Sequence, residues 1–345
     1  MSVGKRQARR PIVLVTALTL AVLTVVIVTG ASSAQTNKQR TYDACQPGQD
    51  TITASRLPET VSLQRCPVGE RVIRDNGVGT VIPGPGQSVF VDATTTEGFQ
   101  ELEVTRNRDG TVDLNHVGDE SEDAQTSSEN VTAASGPGEC SDRAFNLRNY
   151  KVFVVLRGYF NPKTTPNELS RKGAVRAIRR GTADVYDTRN NCHMGDRVPD
   201  RGRHRAGMSY EGSIRARAQV GTGGNCIGQD RKSVVSFGTL RGSALAVTCT
   251  ERHLIKGKWH TKWSDIMLNK THVQWTTRPR SRSCNGRKYD VESTVAHERG
   301  HTFGLDHVSE STHGNLTMSD RSNGPCQLSE RSLGRGDVLG LARKY

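Results

Sequence analysis

A short segment near the C-terminus carries residues that could bind a metal ion and perform acid–base chemistry. Residues 297–307 match the pattern H-E-x-x-H-x-x-G-x-x-H at all five fixed positions. On a helix, His297 and His301 are one turn apart, so both imidazoles project from the same face. Two neutral imidazoles placed in this way can bind one zinc ion. Glu298 follows the first of them and can lie beside the metal, where a general base is needed.

The second half of the pattern supplies a turn and a third ligand. Gly304 allows the helix to end and the chain to reverse, because glycine adopts positive φ without a Cβ penalty. The reversal brings His307 towards the other two histidines and leaves a fourth coordination position for water. Three protein ligands plus water are typical of a catalytic zinc site rather than a structural one. The alternative, a helix with three solvated histidines, requires all five fixed positions to coincide by chance.

The residues before the pattern predict that a helix starts in the right place. Asp290 is a good capping residue, and Glu292 adds an acidic side chain to the first turn. Val291, Val295 and Phe303 give the helix apolar positions that can pack against a core.

A methionine follows the histidines at a characteristic distance. Met318, in the segment Leu-Thr-Met-Ser, lies eleven residues after His307. Together with the extended histidine pattern, it makes the chain resemble the metzincin zinc endopeptidases, which carry a methionine-containing turn beneath the metal. Within that group the chain is most similar to the matrixins and their secreted bacterial relatives, and residues 336–345 resemble the closing helix of matrixin catalytic domains.

The resemblance implies a fold and a set of roles. The implied fold is α+β, with a twisted sheet, a long helix, an active-site helix, the methionine turn and a C-terminal helix. The implied cofactor is Zn²⁺, held by His297, His301 and His307. Glu298 would be the catalytic base. Met318 would form an apolar surface beneath the ligands without binding the metal. Residues 264–268 resemble the edge strand that lines the substrate cleft in matrixins.

Hydrophobic spacing predicts the elements upstream of the motif. Alternation and turn residues predict short strands at 88–91, 102–104 and 112–114, with a hairpin turn at 108–111. After Cys140 the pattern predicts a strand over 150–156, a helix from Leu169 to Tyr186, and further strands at 233–237 and 245–248.

These patterns predict four segments. Residues 1–34 combine basic residues, an apolar run and a small-residue end, which is typical of a signal peptide. Because the apolar run approaches the length of a membrane span, the alternative is an uncleaved N-terminal membrane anchor, with the rest of the chain outside the cytoplasm. Residues 35–116 form a small β-rich segment that could be a propeptide, residues 117–139 an acidic flexible linker, and residues 140–345 the metalloprotease catalytic domain.

Eight cysteines agree with an exported protein, in which an even number favours disulfide bonds. Eight cysteines allow 105 pairings, and we expect Cys45 to pair with Cys66 in the front segment. The alternative is a free Cys66 that binds the zinc ion, as in matrixin precursors, which the sequence Arg65-Cys66-Pro67 resembles only in part.

The charge of the chain is divided between its two halves. Residues 35–140 hold 8 Lys/Arg and 17 Asp/Glu, a net charge of −9, whereas residues 141–290 hold 30 and 11, a net charge of +19. The basic residues are scattered, and the few aromatic residues do not alternate with them, which argues against specific nucleic-acid binding. The opposed charges instead favour an acidic front segment that binds the basic domain and inhibits it within the molecule. The alternative is that residues 41–115 only assist folding or export.

The sequence therefore predicts a secreted, extracellular zinc endopeptidase that acts on proteins or peptides. Glu298 would take a proton from a zinc-activated water and pass it to the leaving amine. One alternative is a zinc hydrolase that acts on a non-peptide amide. Another is a catalytically silent, zinc-stabilised binding protein, although such a site would not need Glu298.

Overall fold

The computed structural model describes residues 41–42, 45, 51–75, 77–118, 136–195, 206–228 and 230–345. The predicted signal or anchor and residues 119–135 of the predicted linker lie outside these ranges. Within the part of the chain that is described, no helix is long and apolar enough to cross a membrane.

The described residues form a mixed α/β fold in which strands outnumber helices. Its α-helices are α1 (Arg171–Tyr186), α2 (Val291–Thr302), α3 (Glu310–His313) and α4 (Arg335–Lys344). Single-turn 3-10 helices occur at Ala54–Arg56, Pro162–Thr164 and Arg282–Cys284. The strands are β1 (Thr41–Tyr42), β2 (Thr51–Thr53), β3 (Thr60–Leu63), β4 (Arg71–Ile73), β5 (Gly79–Val81), β6 (Gln87–Thr95), β7 (Phe99–Arg106), β8 (Val112–Gly118), β9 (Asn146–Leu147), β10 (Tyr150–Lys151), β11 (Val155–Phe160), β12 (Gly207–Ser213), β13 (Ser233–Gly238), β14 (Ala244–Ile255), β15 (Lys258–Asn269), β16 (Gln274–Thr276), β17 (Lys288–Asp290) and β18 (Leu305–Asp306).

One large sheet joins the front segment to the rest of the chain. Its strand order is β1-β3-β8-β7-β6-β14-β15-β13-β11-β12, and β10 pairs with β15 outside this path. The front segment contributes β1, β3 and β6–β8, and it meets the C-terminal half where β6 runs antiparallel to β14. Smaller sheets pair β2-β4-β5, β16-β17 and β18-β9.

The apolar core crosses the same junction. Val91 and Leu102 of the front segment belong to one buried cluster with Val247 and Met267 of the C-terminal half. Burying apolar surface from both halves in one cluster stabilises their contact, because each side removes the other from water.

Helices α1 and α2 pack together over the sheet. Their buried residues, including Ile178 and Val295, form a second cluster with Phe237 and Leu268 of the strands. Gly181 of α1 makes this approach possible, because a Cβ there would collide with a backbone carbonyl of α2 and come within 3.0 Å of a backbone nitrogen.

Most of the predicted elements are confirmed. The strands predicted at 88–91, 102–104, 112–114, 233–237 and 245–248 lie in β6, β7, β8, β13 and β14, and the predicted long helix is α1. The strand predicted over 150–156 is wrong as a single element, because residues 150–151 pair with β15 whereas β11 pairs with β12 and β13.

The assignment of residues 264–268 to an edge strand is also wrong. They lie in β15, which has β14 on one side and β13 on the other. All five residues are buried, which suits a strand that has a neighbour on each side. The strand that meets the front segment is β14.

All eight cysteines are paired. The predicted bond between Cys45 and Cys66 is confirmed, so Cys66 is not a free thiol that could bind a metal. The other bonds are Cys140–Cys192, Cys226–Cys249 and Cys284–Cys326. Four disulfides indicate an extracellular or otherwise oxidising environment.

We predict that Gly181→Ala destabilises the fold, although alanine normally favours a helix over glycine. The added methyl group must push α1 away from α2, and such overpacking costs about 1–3 kcal/mol. The midpoint of urea unfolding should therefore fall. Lys172→Ala, at an exposed position of the same helix, should change stability by no more than about 0.5 kcal/mol. A stabilised Gly181→Ala variant would contradict the close packing.

Candidate metal centre

Helix α2 begins where the sequence predicts. The carboxylate of Asp290 accepts a hydrogen bond from the backbone N–H of Ser293 (3.0 Å) and caps the first turn. Arg331, which the sequence did not point to, donates to both oxygens of Asp290 at 2.6 and 2.7 Å and lies 3.3 Å from Glu292. The start of the helix is therefore fixed from two sides.

The structure brings the three predicted histidines together. The Nε2 atom of His307 lies 3.1 Å from that of His297 and 3.1 Å from that of His301, and the remaining pair is 3.3 Å apart. All three side chains are buried. The chain reversal that delivers His307 occurs at Gly304, whose φ of +85° suits glycine.

The opposite nitrogens of the rings face acceptors. The Nδ1 of His297 lies 2.8 Å from the carbonyl oxygen of Thr317, and the Nδ1 of His301 lies 3.2 Å from that of Leu305. A carbonyl oxygen can only accept, so each ring must carry its proton on Nδ1 and leave a lone pair on Nε2.

The third ring faces a carboxylate from the front segment, without hydrogen-bond geometry between them. The Nδ1 of His307 lies 3.0 Å from Oε1 of Glu101 on β7, and the ring of Phe99 lies 4.2 Å from the imidazole, centroid to centroid. Arg148 forms an ion pair with Glu101 and another with Asp306 at 2.6 Å. The negative oxygen of Glu101 favours a proton on Nδ1, so a third lone pair points into the same space.

Asp92, which lies in the front segment, is the fourth group of the cluster. Asp92 of β6 is fully buried, with Oδ2 3.7 Å from Nε2 of His301 and Oδ1 3.9 Å from Nε2 of His307. One ligand atom from each of Asp92 and the three histidines lies within 4.8 Å of all the others. Within the described ranges, Oδ1 of Asp92 has no hydrogen-bond partner.

This donor set could hold a metal ion. Three imidazole lone pairs and one carboxylate oxygen converge in a buried space, and a cation would satisfy all four at once. Sequence reasoning missed Asp92 because it lies far upstream of the motif. Its signal was a single carboxylate inside the apolar run Val-Phe-Val-Asp-Ala, since an acidic residue in a buried strand needs a partner.

The carboxyl group of Glu298 points to two threonines. It accepts a hydrogen bond from Oγ1 of Thr94 on β6 (2.8 Å) and another from Oγ1 of Thr248 on β14. Burial raises the pKa of Glu298 to about 7, against the lowering effect of these hydrogen bonds. A carboxyl group with such a pKa can accept and release a proton near neutral pH.

Burial also controls the charge of the ligands. It lowers the pKa of His297 to about 4 and lowers the pKa values of His301 and His307 well below their usual range, so the rings stay neutral, which is the ligand form. The pKa of Asp92 is raised well above its usual range, first by burial and then by the negative charges of Glu298 and Glu101. A cation among these groups would offset that repulsion.

The turn around Met318 lies against helix α2. Met318 is buried, and its sulfur occupies the space that a side chain at Gly300 would need. The carboxylate of Asp337 on α4 holds this turn, because it accepts the backbone N–H of Thr317 (2.9 Å), Met318 (3.3 Å) and Gly334 (2.9 Å). The motif did not point to Asp337.

No protein-family model matches the chain, and no curated protein is significantly similar to it. The resemblance to metzincins therefore remains a prediction from the motif and the methionine.

We predict that Zn²⁺ stabilises the metal-free chain. Binding to the folded form alone contributes about 2.7 kcal/mol at a free zinc concentration 100 times the dissociation constant, so the melting temperature should rise. His301→Ala should abolish most of this rise, because it removes a ligand. His272→Ala, which changes an exposed histidine outside the cluster, should keep it. Equal zinc stabilisation in both variants would show that the metal binds elsewhere.

Proposed function

We propose that this chain is a zinc-dependent endopeptidase that is exported from the cell. The observation that carries the proposal is the convergence of three imidazole Nε2 atoms next to Glu298, the residue that follows the first ligand on α2. The four disulfides support export, because such bonds persist in oxidising surroundings.

The donor set supports zinc as the metal. Imidazole nitrogen and carboxylate oxygen are common zinc ligands, and neutral buried rings can bind the ion without first losing a proton. Copper, nickel and iron also accept imidazoles, but zinc has no redox chemistry and suits a hydrolase in an oxidising environment. When bound, zinc would lower the pKa of a water molecule and polarise a peptide carbonyl.

The residues of the chain would perform the proton transfers. Glu298 would take a proton from the attacking water and deliver it to the nitrogen of the leaving amine. The carboxyl group must be ionised for the first step and protonated for the second. Thr248 would hold the carboxylate in position from β14.

The order of elements also supports the proposal. A strand, a long helix, further strands, the histidine-bearing helix, the methionine turn and a final helix follow one another, as the resemblance to matrixins implies. A hydrolase acting on a non-peptide amide remains the alternative that shares this mechanism.

One observation favours a second candidate function. With Asp92 as a ligand the site would have four protein ligands, and closed tetrahedral sites are typical of structural zinc. On this interpretation the chain is a zinc-stabilised binding protein. Glu298 distinguishes the two, because a structural site has no need of a general base beside its ligands.

We predict that Glu298→Gln keeps zinc but loses peptidase turnover by at least about 10²-fold, because it removes the base and spares the ligands. The assay uses the full chain with a recognition sequence for a specific protease inserted between residues 118 and 136, where the linker is predicted. After that cut, casein cleavage is followed and the cut sites are mapped by mass spectrometry, with and without a chelator.

Glu292→Gln is the matched control, since it makes the same chemical change on the same helix, where the carboxylate faces Arg331. It should retain turnover. Near-normal turnover in Glu298→Gln would disprove the role of this base. Absence of cleavage by the zinc-loaded, cut wild-type chain would favour the binding protein or the non-peptide hydrolase.

A further inference from the structure

We propose that a cavity between helix α1 and the large sheet binds a small molecule that carries two phosphate groups. The cavity has a volume of about 590 Å³, within the range of about 300–1,000 Å³ that is usual for small-molecule sites. Residues of α1, β11, β12 and β13 line it, together with Arg189 and one residue of α2, and none of the predicted metal ligands borders it. Binding there goes beyond the proposed peptidase activity and does not require it.

The lining of this cavity is basic. Among the described residues that line it, none carries a carboxylate. In the sequence the basic residues are scattered, whereas the fold gathers six of them around one space. They are Lys172, Arg176, Arg179, Arg180, Arg189 and Arg299. An anion is therefore the class of ligand that the cavity would attract.

Four of these cations follow one face of α1. Lys172, Arg176, Arg179 and Arg180 are spaced at i, i+4, i+7 and i+8, and all four are exposed. Like charges at this spacing repel one another and weaken a helix. The only acidic residue of α1 is Asp184, one turn after Arg180. The helix thus offers no acidic partner to the other three cations, and a bound anion would supply one.

Arg299 of α2 adds a buried charge to this exposed rim. Its side chain is 1% exposed, and its Nη1 donates to the carbonyl oxygen of Ser264 at 3.0 Å. Its Nε has no hydrogen-bond partner among the described residues, and Arg299 forms no ion pair with any of them. A buried cation without a counter-ion is costly, so an anion in the cavity would offset that cost.

The carboxylates closest to Arg299 in the fold are bound to other groups. Glu298, its neighbour on α2, accepts hydrogen bonds from the threonines of β6 and β14. Asp265 of β15 accepts the backbone N–H groups of Gln219 (2.8 Å) and Val234 (2.7 Å), one on each oxygen. Neither carboxylate serves as the missing partner of the guanidinium.

Tyrosines complete the walls of the cavity. The guanidinium carbon of Arg179 lies 5.2 Å from the ring centroid of Tyr210, a cation–π contact that helps to position the arginine. Tyr159 lines the cavity from β11, and its phenol group can donate a hydrogen bond to an anionic oxygen. The walls therefore combine charged and neutral donors.

The number of cations favours phosphate groups over a single carboxylate. An arginine fork binds either group through two hydrogen bonds, but a phosphate monoester carries about −1.5 to −2 charges at neutral pH. Arg189 already pairs with Asp187 at 2.9 Å, which leaves five of the six cations. Two phosphate groups on one small molecule would match these five.

Isothermal titration calorimetry of the zinc-loaded full chain with fructose 1,6-bisphosphate tests the proposal. Salt at 0.15 M limits long-range attraction to a Debye length of about 8 Å, so the measured affinity reports the cavity. Arg299→Met should weaken binding at least about tenfold, because it removes the buried charge. The double variant Arg176→Gln with Arg179→Gln, which changes only exposed side chains, should weaken it at least as much.

Arg171→Gln is the matched control, since it removes one exposed positive charge from the same helix outside the cavity lining. It should bind the bisphosphate as the wild type does. Tricarballylate, which carries three carboxylates, should bind the wild type at least about tenfold more weakly. Equal loss of affinity in Arg171→Gln and in the double variant, equal binding of tricarballylate, or no binding of the bisphosphate would each overturn the proposal.

The melting temperature separates a binding role of Arg299 from a structural one. Methionine removes the uncompensated charge and keeps an apolar stem, so ligand-free Arg299→Met should melt at the wild-type temperature or above it. It should also lose the rise that the bisphosphate produces in the wild type. A lower melting temperature with that rise retained would assign Arg299 to structure and contradict the proposal. If this variant fails to fold, unchanged affinity in the double variant would contradict it instead.

Discussion

The structure depends on three neutral imidazoles that direct their lone pairs into one buried space. The Nδ1 atoms of His297 and His301 are hydrogen-bonded to the carbonyl oxygens of Thr317 and Leu305, which keeps their protons on Nδ1. The Nδ1 of His307 faces the negative oxygen of Glu101 at 3.0 Å, which favours the same tautomer. Nitrogen atoms 3.1–3.3 Å apart with facing lone pairs repel one another unless a cation lies between them. Metal binding and folding should therefore be coupled in this chain.

Distant parts of the sequence cooperate to build this arrangement. Helix α2 presents two rings on one face, Gly304 reverses the chain to deliver the third, and Asp337 holds the methionine turn against the helix. On the other side of the metal centre, the front segment continues the sheet of the C-terminal half and contributes Asp92. The acidic front segment is thus part of the candidate site.

The local parts of the site could be predicted from the sequence, and the distant ones could not. The spacing of His297, His301 and His307 is set by one helix and one turn, so eleven residues were enough to identify them. The location of Asp92 depends on the pairing of β6 with β14, which no short pattern encodes. The position of β15 was misjudged for the same reason, because strand order is a property of tertiary packing.

Zinc K-edge X-ray absorption of the full chain tests most directly whether the four groups bind one zinc ion. We predict one zinc per chain, with three imidazole nitrogens and one carboxylate oxygen at about 2.0–2.2 Å and the scattering pattern of imidazole rings. A first shell of water oxygens without imidazole scattering, or a chain that takes up no zinc, would contradict it.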